Sequence, residues 1–207
     1  RRIEPRGGDV RLSISTGKLP MEDVSLGDSI AVNGVCLTAV ALAADGFLAD
    51  CSRETLSLTT IGDLAAGSPV NLEKALTLST PLGGHLVSGH VDGVGRVLER
   101  TEDARAWRLR IEAPAGLARY IAHKGSICVD GTSLTVNAVD GACFELAIVP
   151  HTLEETIIVH YAPGTRVNLE VDLIARYLER LLLGDAAARS ETRGVTRELL
   201  AEHGFLR

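Results

Sequence analysis

The feature that most constrains this 207-residue chain is that it contains itself twice. Ser29-Ile-Ala-Val-Asn-Gly-Val-Cys-Leu-Thr38 returns 97 positions later as Ser126-Ile-Cys-Val-Asp-Gly-Thr-Ser-Leu-Thr135. The same offset carries Arg11-Leu12 and Ile14 onto Arg108-Leu109 and Ile111, Phe47 onto Phe144, and Val70-Asn-Leu-Glu73 onto Val167-Asn-Leu-Glu170. The register holds without a gap from Arg1/Leu98 to Leu76/Leu173, with 22 identities in 76 pairs. Chance similarity does not keep one register over such a length. Solenoid units run to roughly 20–45 residues, so copies near 100 residues read as two tandem domains of one fold.

Within each copy the pattern is β. Val10–Ile14, Ser29–Val32 and Phe144–Ile148 alternate with period two, and Asn33-Gly34, Asp45-Gly46 and Asp130-Gly131 punctuate them as tight hairpins. Short segments at Leu19–Val24 and Leu117–Ile121 suit a helical turn in each copy. Many short strands at regular spacing predict small closed barrels, which leave no exposed edge. Beyond Asp172, Leu173, Ile174, Tyr177, Leu178, Leu181 and Leu182 follow helical spacing up to Gly184. The expected organisation is therefore all-β: an N-terminal barrel over 1–84, a C-terminal barrel over 85–172, an α-helix over 173–184, and a tail over 185–207 with a short helix at Val195–His203. Ser88–Val97 opens the second copy as a strand whose image would precede Arg1, so the first copy is expected to lack an opening strand of about ten residues.

Composition narrows the function. A net charge of −6, with both signs interspersed, disfavours nucleic acid and anionic lipid as partners, and 3% aromatic residues leave little for base stacking. No run of about 18 apolar residues spans a membrane. Cys36, Cys51, Cys128 and Cys143 form no C-x-x-C pair, and the default is a reduced, cytoplasmic protein. His85 and His90 lie five residues apart with no third ligand nearby, which argues against a metal. Of the two, His90 beside Gly89 is the better functional candidate, since glycine permits close backbone approach.

Duplication by itself means duplicated structure, and that covers the apolar matches. Asn33-Gly34 and Asp130-Gly131 are explained as turns. The polar matches Thr38/Thr135 and Thr55/Thr152, and the unlike pair Cys36/Ser133, suggest that each copy binds the same kind of molecule. Two such sites hold two like reactants in register.

Gly83-Gly-His-Leu-Val-Ser-Gly-His90, Asn33-Gly-Val-Cys-Leu-Thr38, Ser52-Arg-Glu-Thr-Leu56, Asp130-Gly-Thr-Ser-Leu-Thr135 and Val167-Asn-Leu-Glu-Val-Asp172 together resemble the riboflavin synthase family of the trimeric, two-barrel type, over about residues 1–184. The resemblance implies two tandem six-stranded antiparallel Greek-key barrels with a C-terminal trimerisation helix. It implies dismutation of two 6,7-dimethyl-8-ribityllumazines to riboflavin and 5-amino-6-ribitylamino-uracil, with no cofactor or metal, in a homotrimer functionally associated with lumazine synthase. One lumazine would lie in an N-barrel and the other in the C-barrel of a neighbouring subunit. Carried over motif by motif, the first pocket takes Cys36, Leu37, Thr38, Asp50, Cys51, Ser52, Arg53, Glu54 and Thr55. The second takes Lys124, Ser133, Leu134, Thr135, Ile148, Val149, Pro150, His151, Thr152 and Leu153, with Gly89, His90 and Val91 where the ligands meet. His90 is the leading acid–base candidate. Cys36 and Ser133 are candidate nucleophiles or ligand-polarising groups, and Lys124 and Asp172 have supporting roles. The family's opening Met-Phe-Thr-Gly motif, which helps line the first pocket, does not occur in this sequence. The alternative within the same fold is a lumazine- or flavin-binding antenna protein that catalyses nothing.

Overall fold

In this computed structural model, which describes residues 2–188, each repeat forms a six-stranded antiparallel arrangement. The first runs β1 (Arg2–Arg6), β2 (Asp9–Ser15), β3 (Ser29–Val32), β4 (Val35–Ala43), β5 (Gly46–Cys51) and β6 (Leu72–Lys74). The second runs β7 (Gly93–Asp103), β8 (Ala106–Glu112), β9 (Ser126–Val129), β10 (Thr132–Asp140), β11 (Cys143–Ile148) and β12 (Arg166–Val171). Their spatial orders, β1-β2-β5-β4-β3-β6 and β7-β8-β11-β10-β9-β12, are the same Greek key. Even the bulge is shared: register slips at Ala39/Ala41 on β4 and at the matched Val136/Ala138 on β10.

The second repeat is a closed barrel, and the first is an open sheet. Closure of the second rests on Gly93, Val94, Gly95 and Arg96 of β7 pairing with Leu169, Asn168, Val167 and Arg166 of β12. β1 is the image of the later half of β7, Glu99–Asp103, and in the described strands of the first repeat β1 and β6 stand at the two ends of the sheet.

Each repeat buries its own core. Leu12, Ile14, Ile30, Val32, Leu37, Phe47 and Ile61 fill the first, and Leu109, Ile111, Ile127, Val129, Phe144, Leu146 and Ile158 fill the second. Strand alternation sets which residues enter: along β4, Val35, Leu37 and Ala39 are buried, while Cys36 and Thr38 turn outward. Both repeats also contain a short helix that sequence reading missed: α1 (Arg53–Leu58), capped by Ser52, and α2 (Pro150–Glu155), started by a proline at its first position. A 3₁₀ turn follows each, entered through Thr59 or Thr156, whose hydroxyl donates to the carbonyl of Thr55 or Thr152 at 2.6 Å. The helical turn expected near Leu117–Ile121 is a 3₁₀ helix at Ala115–Tyr120; its counterpart is reduced to a turn at Glu22-Asp23.

Both repeats belong to one compact unit that runs to Ala175. The helix α3 (Leu173–Leu182) begins where Asp172 Oδ1 accepts from Ile174 N at 2.9 Å, and a short 3₁₀ turn at Gly184–Ala188 follows it. The expected helix at Val195–His203 lies outside the described residues.

Candidate functional site

The two repeats meet through their matched hairpins, and the contact is reciprocal. Asn33-Gly34 and Asp130-Gly131 both take positive φ at both residues, as a two-residue type I′ turn requires. The turns abut so closely that a Cβ on Gly34 would lie 2.6 Å from Gly131 N, and one on Gly131 would lie 2.9 Å from Gly34 N. Around them the side chains of Asn71 and Asn168 cross over. Asn168 Nδ2 donates to Asn33 O at 2.8 Å, and its Oδ1 accepts from Thr60 N at 2.8 Å. Asn71 Nδ2 donates to Asp130 O at 2.8 Å, and its Oδ1 accepts from Ile157 N at 2.8 Å. Every atom has its partner 97 residues away in the other bond. This is the geometry of an isologous two-fold interface, built within one chain.

The symmetry breaks at one place. Asn33 Oδ1 accepts from Asn71 N, and Asp130 Oδ1 likewise accepts from Asn168 N, each at 2.8 Å. Asp130 Oδ2, however, also accepts from the Tyr161 hydroxyl at 2.5 Å, where the first repeat has Leu64. Burial pushes the Asp130 carboxyl up to about 6, although the bonds from Tyr161 and Asn168 pull the other way. Burial and the Asp130 carboxylate together push the Tyr161 hydroxyl well above its usual range.

Beside this axis lies a cavity of about 240 Å³ that brings together Cys36, Glu73, His85, Gly89, Gly131 and Ser133. It is smaller than the roughly 300–1,000 Å³ of a whole small-molecule site, so it takes a ring-sized portion of a ligand. The connecting segment between the repeats forms one wall and touches both matched positions. Glu170 on β12 anchors it by accepting from Ser88 N and Ser88 Oγ at 2.7 Å each and from Gly89 N at 2.9 Å. Gly89 O in turn accepts from Cys36 N at 2.8 Å. Gly89 has φ +78°, and a Cβ there would lie 2.7 Å from Cys36 Cβ, so the position requires glycine on both counts. A few residues earlier, His85 Nδ1 lies 2.7 Å from Ser133 Oγ, and the His85 amide donates to the same oxygen at 3.4 Å. Burial holds the His85 imidazole below its ordinary pKa, against the raising pull of Asp172 and Glu170. Burial likewise raises the carboxyl of Glu73, which also lines the cavity.

Of the residues expected in the pockets, the cavity thus takes in Cys36, Gly89 and Ser133; the others lie outside its lining. Thr38 and Thr135 share the outward faces of β4 and β10 with Cys36 and Ser133. Leu37, Cys51, Ile148 and Leu153 are core side chains, and burial pushes the Cys51 thiol up to about 11, so it stays protonated. Leu134 packs, partly buried, against the second core. Asp50 is tied to Arg11 across β2 and β5 by two bonds of 2.6 Å, which hold its carboxyl below the usual range. Ser52 and Thr55 are joined at the start of α1, Arg53 donates to Gly7 O at 2.9 Å, and Glu54 is exposed in the first turn. Val149, Pro150 and His151 are exposed at the start of α2, with Thr152 half-buried. His90 is exposed and Val91 half-buried, whereas His85, which sequence reasoning ranked second, faces the cavity. Lys124 holds φ +62° and donates its amide to Val136 O, a role filled in the first repeat by Gly27. Among the described residues, no three His, Cys, Asp or Glu side chains are grouped to hold a metal ion, and no helix is long and apolar enough to cross a membrane.

Comparison with known proteins agrees with the duplication. The lumazine binding domain model matches twice, over residues 1–75 and 88–172. A riboflavin synthase of Photobacterium phosphoreum is 48% identical over 204 residues, covering 99% of this chain and 93% of that protein. A riboflavin synthase of Bacillus subtilis is 39% identical over 203 residues, covering 98% and 94%. Among solved structures, LumP complexed with riboflavin superposes with a TM-score of 0.75 at 25% identity, covering 83% of this chain and 92% of that one. With two matched repeats and close relatives along almost its whole length, the chain belongs to the lumazine-binding domain family and, within it, to the riboflavin synthases.

Proposed function

We propose that this chain catalyses the dismutation of two molecules of 6,7-dimethyl-8-ribityllumazine to riboflavin and 5-amino-6-ribitylamino-uracil, a four-carbon unit passing from one to the other without cofactor or metal. The observation that carries this reading is the pair of matched but chemically unlike positions, Cys36 with Thr38 and Ser133 with Thr135, on equivalent strands joined across a reciprocal interface. Like molecules bound at like sites become one reacting pair. Fixing such a pair removes up to about 7–11 kcal/mol of the barrier. The lumazine 7-methyl group is a carbon acid whose anion delocalises into the ring, so the protein has to orient the rings and handle protons. Thr38 and Thr135 would hydrogen-bond the rings, Lys124 and Asp172 would serve the ribityl chain or the proton inventory, and His90 with Gly89 and Val91 would lie where the ligands meet. The apolar positions of α3, Ile174, Tyr177, Leu178 and Leu181, suit a homotrimer in which an N-repeat pocket of one subunit faces a C-repeat pocket of the next. The enzyme would work in the cytoplasm beside lumazine synthase, which makes its substrate.

The test is to incubate the protein with the lumazine alone. One riboflavin should form for every two lumazines consumed, seen as flavin fluorescence and quantified by chromatography. Binding without conversion would overturn this reading in favour of the antenna protein.

A further inference from the structure

Resting on that reading, we propose that His85 acts through Ser133: its Nδ1 orients the serine hydroxyl and takes its proton, so that the second-repeat pocket is where the lumazine 7-methyl group is deprotonated. Two atoms of one residue grip Ser133 Oγ, the imidazole Nδ1 at 2.7 Å and the amide nitrogen at 3.4 Å. An amide N–H only donates, so it occupies one lone pair of Oγ. With Nδ1 unprotonated, the tautomer we assign, the serine proton is directed at Nδ1 and the second lone pair is left for a ligand in the cavity. Gly84 makes the approach possible, because a Cβ there would lie 2.3 Å from Ser133 Oγ.

The His85 ring suits a transient proton carrier. Its Nε2 is buried and has no partner among the described residues; the resting proton of the neutral ring is assigned to Nε2, the tautomer in which Nδ1 is the acceptor. Burial favours that neutral form, while the carboxylates of Asp172 and Glu170 favour the cation that forms during transfer. The remaining charged groups on the cavity wall are Glu73 and Lys74. In the step itself, the methyl C–H bond breaks and its electron pair delocalises into the lumazine ring. The proton passes to Ser133 Oγ as the serine proton passes to Nδ1, giving a ligand anion and an imidazolium, with no change of oxidation state. The matched position in the first repeat offers a thiol, Cys36, braced by the Gly89 backbone. The two matched positions therefore differ in chemistry, and the asymmetry assigns the carbanion to the Ser133 position and its acceptor to the Cys36 position.

His85 is on this account a positioning residue and proton acceptor that does not itself touch the substrate. The experiment uses the full chain with 6,7-dimethyl-8-ribityllumazine and the variants His85→Leu, His85→Asn, Ser133→Ala and the double variant H85L/S133A. Three quantities are read: deuterium entry into the 7-methyl group by NMR in D₂O, kcat and KM for riboflavin between about pH 5 and 9, and lumazine binding by fluorescence titration. H85L and S133A should each slow exchange and kcat by about 10²-fold or more, with KM changed less than about 3-fold, and the double variant should be no slower than either. The acidic limb of the wild-type kcat profile should vanish in H85L. H85N, which replaces Nδ1 by an amide that does not titrate, should remain slow. Wild-type exchange in H85N or H85L, or a loss confined to KM, overturns the proposal. Because exchange is read independently of product, a wild-type protein that exchanges the methyl protons without forming riboflavin would refute the enzyme reading while leaving this assignment standing.

Discussion

Replacing Asn168 by alanine should be among the most destabilising changes in this molecule, and Asn71→Ala should be milder, although the two side chains make the same bonds. Asn168 is 1% exposed and Asn71 is half-buried. Removing the Asn168 amide strands Thr60 N–H and the Asn33 carbonyl, both in residues shielded from water, and each unsatisfied group costs about 1–3 kcal/mol. Together with the lost packing, that gives about 3–5 kcal/mol. At Asn71 the freed Asp130 carbonyl is as buried as that of Asn33 and costs as much, but the freed Ile157 N–H lies in a half-buried residue that water can reach, so one stranded group and one exchanged bond are lost, about 2–3 kcal/mol in all. In a chain of this size each kcal/mol moves Tm by about 2–4 °C. Urea unfolding followed by circular dichroism, with m unchanged, gives the two free energies directly. Equal costs for the two variants, or an Asn168→Ala cost below about 1 kcal/mol, would refute the view that burial of the crossed amides, rather than their bond count, sets the strength of the interface.

Two further changes probe places where the repeats differ. The Asp130 carboxyl is raised to about 6, so its favourable contribution is complete below its unfolded pKa near 4 and is lost as pH rises through 6. Asp130→Asn, which matches Asn33, has nothing to titrate there; its Tm relative to wild type should therefore rise between pH 4 and 7, and a pH-independent difference would contradict this. Lys124→Gly should gain about 1 kcal/mol by relieving the left-handed backbone, yet weaken lumazine binding in a fluorescence titration. Unchanged affinity would reduce Lys124 to a turn residue.

The repeat register made the architecture legible because strand alternation and turn chemistry are local. Asn33-Gly34 announces its hairpin in two letters, and Phe47 and Phe144 mark the same core position twice. The site was harder to see for the same reason. Asn33 and Asp130 have a sufficient local explanation as turn residues, and only the folded chain shows that their carbonyls receive Asn168 and Asn71 from the opposite repeat. His85 and His90 look alike in sequence, and which of them turns inward depends on Glu170, some 80 residues away, pinning Ser88 and Gly89. One signal was available: Asn71/Asn168 and Glu73/Glu170 are polar identities kept in both copies, in or directly beside strands, where propensity disfavours them. The short helices α1 and α2 went unseen because six residues hold too few turns to display a period.

The crossed amides also bear on how such a chain can change. In a true dimer of identical subunits, any mutation on the axis strikes both sides at once. Here the two sides are encoded separately, so one can drift while the other keeps the bond. Tyr161 facing Asp130, where Leu64 leaves Asn33 alone, is such a one-sided change already fixed. A fused pair of this kind is free to become a left and a right hand, which two molecules of the same compound need if one is to give and the other to receive.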